Sequence, residues 1–261
     1  MPIPKIVHYC WLSGEPYPEL VERCMQSWKE KLPDYEFMLW DMNRFDVHSV
    51  PWVEQACAAK KWAPASDYIR LYALYNYGGI YLDCDVEVVK AFDDLLNRSY
   101  FLGKEHTPDK TENRDSIEAA AFGCEKENPI VKETMDYFAT HNYLDEKGVL
   151  DPMTLPTLLS LVINRFRGPK IEVFPMDYFS PKNTRTLELN ITKNTYCIHH
   201  FNGSWHSVAQ QKYVKLRTVL CRKFGENMGE LISLLAIIPI NLRYEGIVKT
   251  FRKISKKARM K

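Results

Sequence analysis

The chain of 261 residues is 46% apolar and 13% aromatic, which suits one large α/β domain or a domain with an appendage. The formal net charge of +2 excludes no class of partner, but the charge is unevenly spread. Residues 212–261 hold 13 Lys and Arg against 3 Glu, which leaves 22 Lys and Arg against 30 Asp and Glu in residues 1–211. A basic tail on an acidic body predicts that the tail meets an anionic partner, either a membrane surface or a nucleic acid.

The seven cysteines are scattered without a CxxC pair, so the sequence favours a reduced, cytoplasmic protein over a disulfide scaffold or a zinc site. The N-terminal residues lack the charged and apolar segments of a signal peptide. The longest apolar run, residues 231–242, is too short to cross a bilayer and is interrupted by Pro239.

The first predicted elements form a β-α-β unit. Residues 4–12 and 35–41 have the composition of strands, and residues 18–32 between them have apolar side chains at helical spacing. This order is typical of a parallel, doubly wound sheet. The fold class we predict is therefore α/β, with a mostly parallel central sheet flanked by helices.

Residues 49–79 predict two helices separated at Pro64, with Ser66 as the N-cap of the second helix and a stop at Gly78 and Gly79. A short strand, 80–82, follows. The later predictions are strands over 99–105, 119–125, 170–181 and 195–201, and helices over 128–141 and 156–166. Beyond about residue 208 the pattern becomes helical and basic. We therefore predict two domains, 1–208 and 209–261.

The motif GGIYLDCDVE places Asp83 and Asp85 directly after the strand 80–82. Side chains two apart on an extended segment point the same way, and ligands of open α/β sheets bind at the carboxyl ends of strands. Two adjacent carboxylates repel each other unless a cation lies between them. The pair therefore predicts a site for Mg²⁺ or Mn²⁺ bridging a diphosphate, although an isolated Asp-x-Asp is more often a solvated turn.

Asp67 and Arg70 are three residues apart on the preceding helix and share a face. They form either an intrahelical ion pair or a surface for the donor, with Arg70 facing a phosphate or sugar and Asp67 a sugar hydroxyl.

The segment SDYIRLYALYNYGGIYLDCDVE (66–87) resembles the DxD block of glycosyltransferase family 32, which the glucosylating clostridial toxins of a related family share. Two more segments support the resemblance: IPKIVHYCWLSG (3–14) is similar to the family's first strand, and HHFNGSW (199–205) to its C-terminal element. The resemblance implies a GT-A fold, a nucleotide-sugar donor, a divalent metal and retention of anomeric configuration.

The resemblance also assigns roles to single residues. It implies that Trp11 stacks on the nucleotide base, that Tyr81 lies close to the nucleotide, and that Asp67 and Arg70 contact the donor sugar. Asp83 would touch ribose or sugar and share the metal site, and Asp85 would ligate the metal. His200, chosen over His199 by its spacing to Trp205, would complete that site. Ser204 and Trp205 would lie against the diphosphate.

These observations predict a metal-dependent, retaining hexosyltransferase. The donor expected is a UDP-sugar. The acceptor expected is a saccharide, a lipid-linked intermediate in bacterial capsular or surface polysaccharide synthesis. The basic, amphipathic tail would hold the protein on the inner face of the bacterial membrane, and no nucleic acid is expected as a partner. Two alternatives stay open: a toxin-like enzyme that modifies a protein, and a non-catalytic nucleotide-sugar-binding protein.

Overall fold

The structure is a computed structural model that describes residues 2–105, 116–168, 171–203 and 207–259. The chain forms two compact units. The first comprises residues 1–182 and 189–201, and the second comprises residues 183–188 and 202–261.

The described strands are, in chain order, β1 (Ile6–Cys10), β2 (Glu36–Trp40), β3 (Gly79–Leu82), β4 (Val86–Val88), β5 (Tyr100–Phe101), β6 (Lys104–Glu105), β7 (Ser116–Ile117), β8 (Ala121–Cys124) and β9 (Cys197–His199). The helices are α1 (Glu19–Lys31), α2 (Pro51–Ala58), α3 (Trp62–Tyr77), α4 (Pro129–Thr140), α5 (Leu155–Arg165), α6 (Met176–Phe179), α7 (Val208–Phe224) and α8 (Glu226–Arg259).

The central sheet of the first unit has the order β2-β1-β3-β8-β5. β1 pairs in parallel with both β2 and β3, and β8 runs antiparallel to both of its neighbours. Four of the five strands therefore share one direction. This confirms the predicted α/β class with a mostly parallel sheet. The narrower GT-A assignment stays a prediction.

Two hydrophobic clusters sandwich this sheet. On β3, Ile80 and Leu82 belong to one cluster with Val7 and Trp28, whereas Tyr81 belongs to the other with Trp40. Successive side chains of a strand point to opposite faces, so a short strand that is buried throughout feeds both clusters. β3 is thus fixed from both sides, which holds the chain that follows it in place.

The second helix of the region 49–79 begins earlier than predicted. α3 starts at Trp62, so Pro64 lies in its first turn and Ser66 is not an N-cap. The missing N–H of a proline costs no hydrogen bond in a first turn, because that group would have no helical acceptor there. The Ser66 hydroxyl instead donates to the Ala63 carbonyl at 2.8 Å. The stop at Gly78, with φ of 68°, is confirmed.

The strand predicted over 170–181 is wrong for its described part. Only Phe174 makes a β-bridge, to Gly103, and the chain then turns through α6. The Phe174 N–H donates to the Leu102 carbonyl, and the Phe174 carbonyl accepts from Lys104. Pro175 has no N–H to continue such a ladder, so pairing ends after one residue.

The second unit is built from α7 and α8. Ser207 begins α7 with a reciprocal capping box with Gln210. α8 contains Pro239 and is interrupted by non-helical backbone at Gly246, with φ of 81°. Over the described residues, no helix combines the length and apolar character needed to cross a membrane.

Candidate metal and nucleotide-sugar site

The predicted site lies at the carboxyl edge of the parallel strands. His8 of β1 pairs with Tyr81 of β3, so the segments that follow these two strands emerge side by side. Trp11 follows the first and Asp83 the second. The Cys84 thiol donates to the Cys10 carbonyl at 3.3 Å, which ties the two segments together.

Two carboxylates and an imidazole converge at this edge. One oxygen each from Asp83 and Asp85 and one ring nitrogen of His199 all lie within 4.8 Å of one another. The His199 Nε2 is 3.6 Å from the Asp85 Oδ1. All three side chains are partly buried. This donor set fits Mn²⁺ or Mg²⁺, which prefer carboxylate oxygens, and a manganese site accepts an imidazole as well.

The histidine at this site is His199 and not His200, which corrects the choice made from the sequence. The His200 Nε2 lies 2.8 Å from the Glu87 Oε2 instead. Phe201 and Gly203 both have positive φ, at 52° and 58°. The chain is therefore not extended after β9. For that reason the number of residues between each histidine and Trp205 does not determine which histidine faces the carboxylates. Ser204 and Trp205 lie outside the described residues.

Arg70 lies between two aspartates, Asp67 of α3 and Asp83 of the DxD segment. Its Nη2 lies 3.2 Å from the Asp83 Oδ1 and 3.4 Å from the Asp67 Oδ1. The predicted intrahelical ion pair with Asp67 therefore exists, and Arg70 pairs with Asp83 as well. The guanidinium is buried, with 4% exposure, and also donates to the Ala119 carbonyl at 2.7 Å. It holds the carboxylates from the protein interior.

Burial makes these acids costly to ionise. Burial raises the pKa of Asp67 to about 6 against the opposing charge of Arg70. Burial likewise raises the pKa of Asp83, and Arg70 again opposes the shift. For His199, burial lowers the pKa, but Glu118 and Asp85 outweigh it and raise the pKa to about 10. The carboxylates around His199 therefore stabilise a positive charge between them. An imidazolium or a metal ion can supply that charge.

Tyr81 and Trp11 differ in their access to a ligand. Tyr81 is buried, and its hydroxyl donates to the Asp83 Oδ1 at 2.8 Å. Its ring lies 4.4 Å from the Arg70 guanidinium. Trp11 is only half-buried; its ring lies 4.8 Å from that of Tyr17, and its N–H donates to the Glu15 carbonyl. Part of the Trp11 side chain is thus accessible to a ligand, whereas Tyr81 is buried and hydrogen-bonds to Asp83.

Two charged residues of the site were not predicted. Glu118 is 1% exposed, and its Oε2 lies 3.3 Å from the His199 Nδ1. An acid followed by four apolar residues at a strand start, IEAAAF, was the available signal. Lys182 donates to the His200 carbonyl at 2.8 Å; burial lowers its pKa, and the nearby charge of Asp85 opposes that shift. Nothing in the sequence marks Lys182.

Residues 18–102 match the family model described as "Glycosyltransferase sugar-binding region containing DXD motif". The chain carries a DXD glycosyltransferase region. This confirms the family resemblance and the glycosyltransferase class for the residues matched. The DXD region includes Asp67, Arg70, Asp83 and Asp85, whereas Trp11, Glu118 and His199 lie outside it.

Curated proteins are similar to part of this chain. The chain is similar to inositol phosphoceramide mannosyltransferase 3 of Schizosaccharomyces pombe, with 37% identity over 99 residues that cover 36% of this chain and 28% of the relative. It is also similar to Toxin Afp18 of Yersinia ruckeri, with 37% identity over 159 residues that cover 55% of this chain and 7% of the toxin. The chain thus matches no more than 28% of the length of either relative.

Solved structures with weaker similarity include the PaToxG glycosyltransferase, at 21% identity and a TM-score of 0.46, covering 63% of this chain and 70% of that one. They also include galactosyltransferase LgtC in complex with donor and acceptor sugar analogues, at 13% identity and a TM-score of 0.45, covering 87% and 95%.

Proposed function

We propose that this protein is a metal-dependent glycosyltransferase of GT-A type that transfers a hexose from a nucleotide-sugar to a saccharide. The observation that carries the proposal is the convergence of Asp83, Asp85 and His199 at the sheet edge, with two of the three inside the DXD region. When bound there, a divalent cation stabilises the negative charge that builds on the departing nucleoside diphosphate.

The side chains of the site have separable tasks in this proposal. Asp85 and His199 hold the cation. Asp83 is oriented by Arg70 and by the Tyr81 hydroxyl, so its remaining oxygen can turn to the cation or to a sugar hydroxyl. The exposed part of the Trp11 ring offers a surface for the nucleotide base. UDP as the nucleotide and retention of anomeric configuration are part of the proposal, by resemblance to family 32.

The test is nucleoside diphosphate release from a panel of nucleotide-sugars, measured with and without Mn²⁺ or Mg²⁺. We expect release to require the cation and to fall below detection in Asp85→Asn. Asp34→Asn is the matched control, because the Asp34 carboxylate is exposed and far from this site in sequence and contacts. If Asp85→Asn turns over every donor as fast as wild type, the proposed metal site is refuted. If wild type releases no nucleoside diphosphate from any donor, the non-catalytic alternative replaces the proposed enzyme.

The remaining functional alternatives differ in the acceptor of the sugar. We propose a saccharide, lipid-linked in bacterial surface polysaccharide synthesis, as the acceptor. The second candidate is a protein acceptor, which follows from the resemblance of the DxD block to that of the glucosylating toxins. Incubation with radiolabelled donor, followed by separate extraction of lipid and protein from a bacterial membrane fraction, distinguishes the two. Label confined to protein would overturn the lipid-linked acceptor.

Exposed apolar side chains in the second unit support a role for the tail at a membrane surface. Five exposed apolar side chains of α8 recur at helical spacing and share one stripe: Leu231, Leu234, Leu235, Ile238 and Leu242. Leu235 is 79% exposed. The sequence that follows, from Arg243, is strongly basic. We propose that this stripe lies on an anionic membrane surface, where apolar insertion and basic charge act together.

Vesicle flotation tests this role in the full chain. We expect binding to vesicles that contain an anionic lipid, weaker binding to neutral vesicles, and loss of binding in Leu235→Glu. Gln211→Glu adds the same charge at an exposed position of α7 and should float like wild type. Equal flotation of Leu235→Glu and wild type would refute the membrane role of the stripe.

A further inference from the structure

Glu118 is a buried carboxylate beside the proposed metal histidine. Its own N–H donates to the Gly103 carbonyl at 2.8 Å, and its Oε1 accepts from the Ala120 N–H at 2.7 Å. With 1% exposure, the side chain has almost no contact with solvent. The Ala120 N–H therefore holds Oε1 of Glu118 in place, and Oε2 is the oxygen that faces the neighbouring side chain.

That neighbour is the His199 ring. The Glu118 Oε2 lies 3.3 Å from Nδ1, and on the other side of the ring Nε2 faces the Asp85 Oδ1 at 3.6 Å. The ring of Phe201 lies against the imidazole, with centroids 3.9 Å apart, and so restricts its rotation. An ionised carboxylate can only accept hydrogen bonds, so the Nδ1 that faces it must carry a proton.

The backbone around Glu118 serves the same site. The Ala119 carbonyl accepts from Arg70, and the Ala120 carbonyl accepts from the Asp83 N–H at 2.8 Å. Three consecutive residues thus contact the histidine, the arginine and the backbone of Asp83. A shift of this segment would move all three partners, whereas Glu118→Gln keeps an oxygen for the Ala120 N–H and changes the atom that faces His199.

We propose that Glu118 is a positioning residue that fixes the tautomer of His199, keeping the proton on Nδ1 and presenting the Nε2 lone pair to a metal ion at Asp83 and Asp85. The inference rests on the proposed function, because it requires that a divalent cation binds there. Partners that hold the far nitrogen of a metal-binding histidine typically contribute about 10- to 100-fold to metal affinity.

The experiment measures Mn²⁺ affinity of the full chain by electron paramagnetic resonance of free Mn²⁺, without substrate. Glu118→Gln replaces the acceptor oxygen at nearly constant volume. We expect it to weaken Mn²⁺ binding by about 10- to 100-fold. Glu172→Gln is the control for loss of a carboxylate elsewhere in the first unit, because the Glu172 carboxylate is exposed and pairs with Arg98. It should bind like wild type.

A double-variant comparison shows whether Glu118 acts through His199. In a His199→Ala background, Glu118→Gln should cause no further loss of Mn²⁺ affinity. A further loss as large as in the wild-type background would overturn the inference. The ¹¹³Cd resonance of the Cd²⁺ complex adds a readout of ligand type, since Glu118→Gln should shift it toward the oxygen-only value of His199→Ala.

The possible failures are distinguishable. If wild type binds Mn²⁺ and Asp85→Asn does not, while Glu118→Gln equals wild type, the role of Glu118 is refuted and the proposed metal site stands. If wild type and Asp85→Asn both fail to bind Mn²⁺, the metal site and the inference fall together. A circular dichroism spectrum and melting temperature for each variant separate loss of the site from loss of the fold.

Discussion

The surroundings of His8 predict both the direction and the size of a pH dependence of the free energy of unfolding. The side chain is fully buried in β1; Nε2 lies 2.8 Å from the Gly78 carbonyl, and Nδ1 accepts from the Trp40 indole N–H at 3.1 Å. These partners require a neutral ring with its proton on Nε2. Burial lowers the pKa of His8 from 6.5 to about 4, against the Gly78 carbonyl and with a small contribution from Arg44.

This shift makes the free energy of unfolding depend on pH. Between pH 6.5 and about 4 the unfolded chain binds a proton at His8 and the folded chain does not. The contribution of neutral His8 is therefore complete above pH 6.5 and is lost as the pH falls toward 4. At 1.36 kcal/mol per pKa unit the loss amounts to about 3 kcal/mol.

Urea unfolding followed by circular dichroism, from about pH 7 down to about pH 4, measures this loss in wild type and in His8→Gln. The glutamine amide can donate and accept but does not titrate, so the variant should lose about 3 kcal/mol less than wild type on acidification. His48→Gln is the control, because His48 is exposed beside Glu54, which raises its pKa. Parallel pH curves for wild type and His8→Gln would refute the reasoning.

Three further predictions concern the site and its support. Arg70→Lys should lower the unfolding free energy by about 3 kcal/mol in urea titrations, because an ammonium cannot reach all the buried acceptors that the guanidinium satisfies; a loss below about 1 kcal/mol would contradict this. Gly79→Ala should cost about 2 kcal/mol or more, since φ is +108° and a Cβ would lie 2.6 Å from the Ile6 carbonyl oxygen. Gly14→Ala, with φ of +67° and open space, carries only the backbone strain and should cost less; equal costs would count against the steric argument. Trp11→Ala should weaken UDP binding by about 10- to 100-fold in calorimetric titrations, and unchanged affinity would remove the base-stacking role.

The frame of the first unit was predictable because local signals agree with the tertiary fold. The strand-helix-strand order up to Trp40 and the helix ending at Gly78 follow from apolar periodicity and glycine placement. The position of Asp83 at a carboxyl strand end follows from the same pattern. These features depend on residues that are close together in the sequence, so they can be predicted from the sequence alone.

Two of the differences from prediction concern element boundaries that the composition of the segment does not fix. Phe174 makes a single bridge because Gly103 lies beside it, although the flanking residues have strand composition. Pro64 is tolerated inside α3 because it falls in the first turn. In both cases the composition is that of the predicted element, but the boundary of the element depends on a contact or on the position of a proline.

The sequence by itself determined the resemblance to the DXD glycosyltransferases, the α/β class and the acidic motif, because each is carried by residues that are close along the chain. Only the tertiary structure decided that His199 faces the carboxylates, that Arg70 pairs with Asp83 as well as Asp67, and that Glu118 lies against the imidazole. These three facts join segments that are 13 to 116 residues apart. Adjacent histidines on a strand point to opposite sides, and only the pairing of β9 with β4 fixes which of them meets the motif.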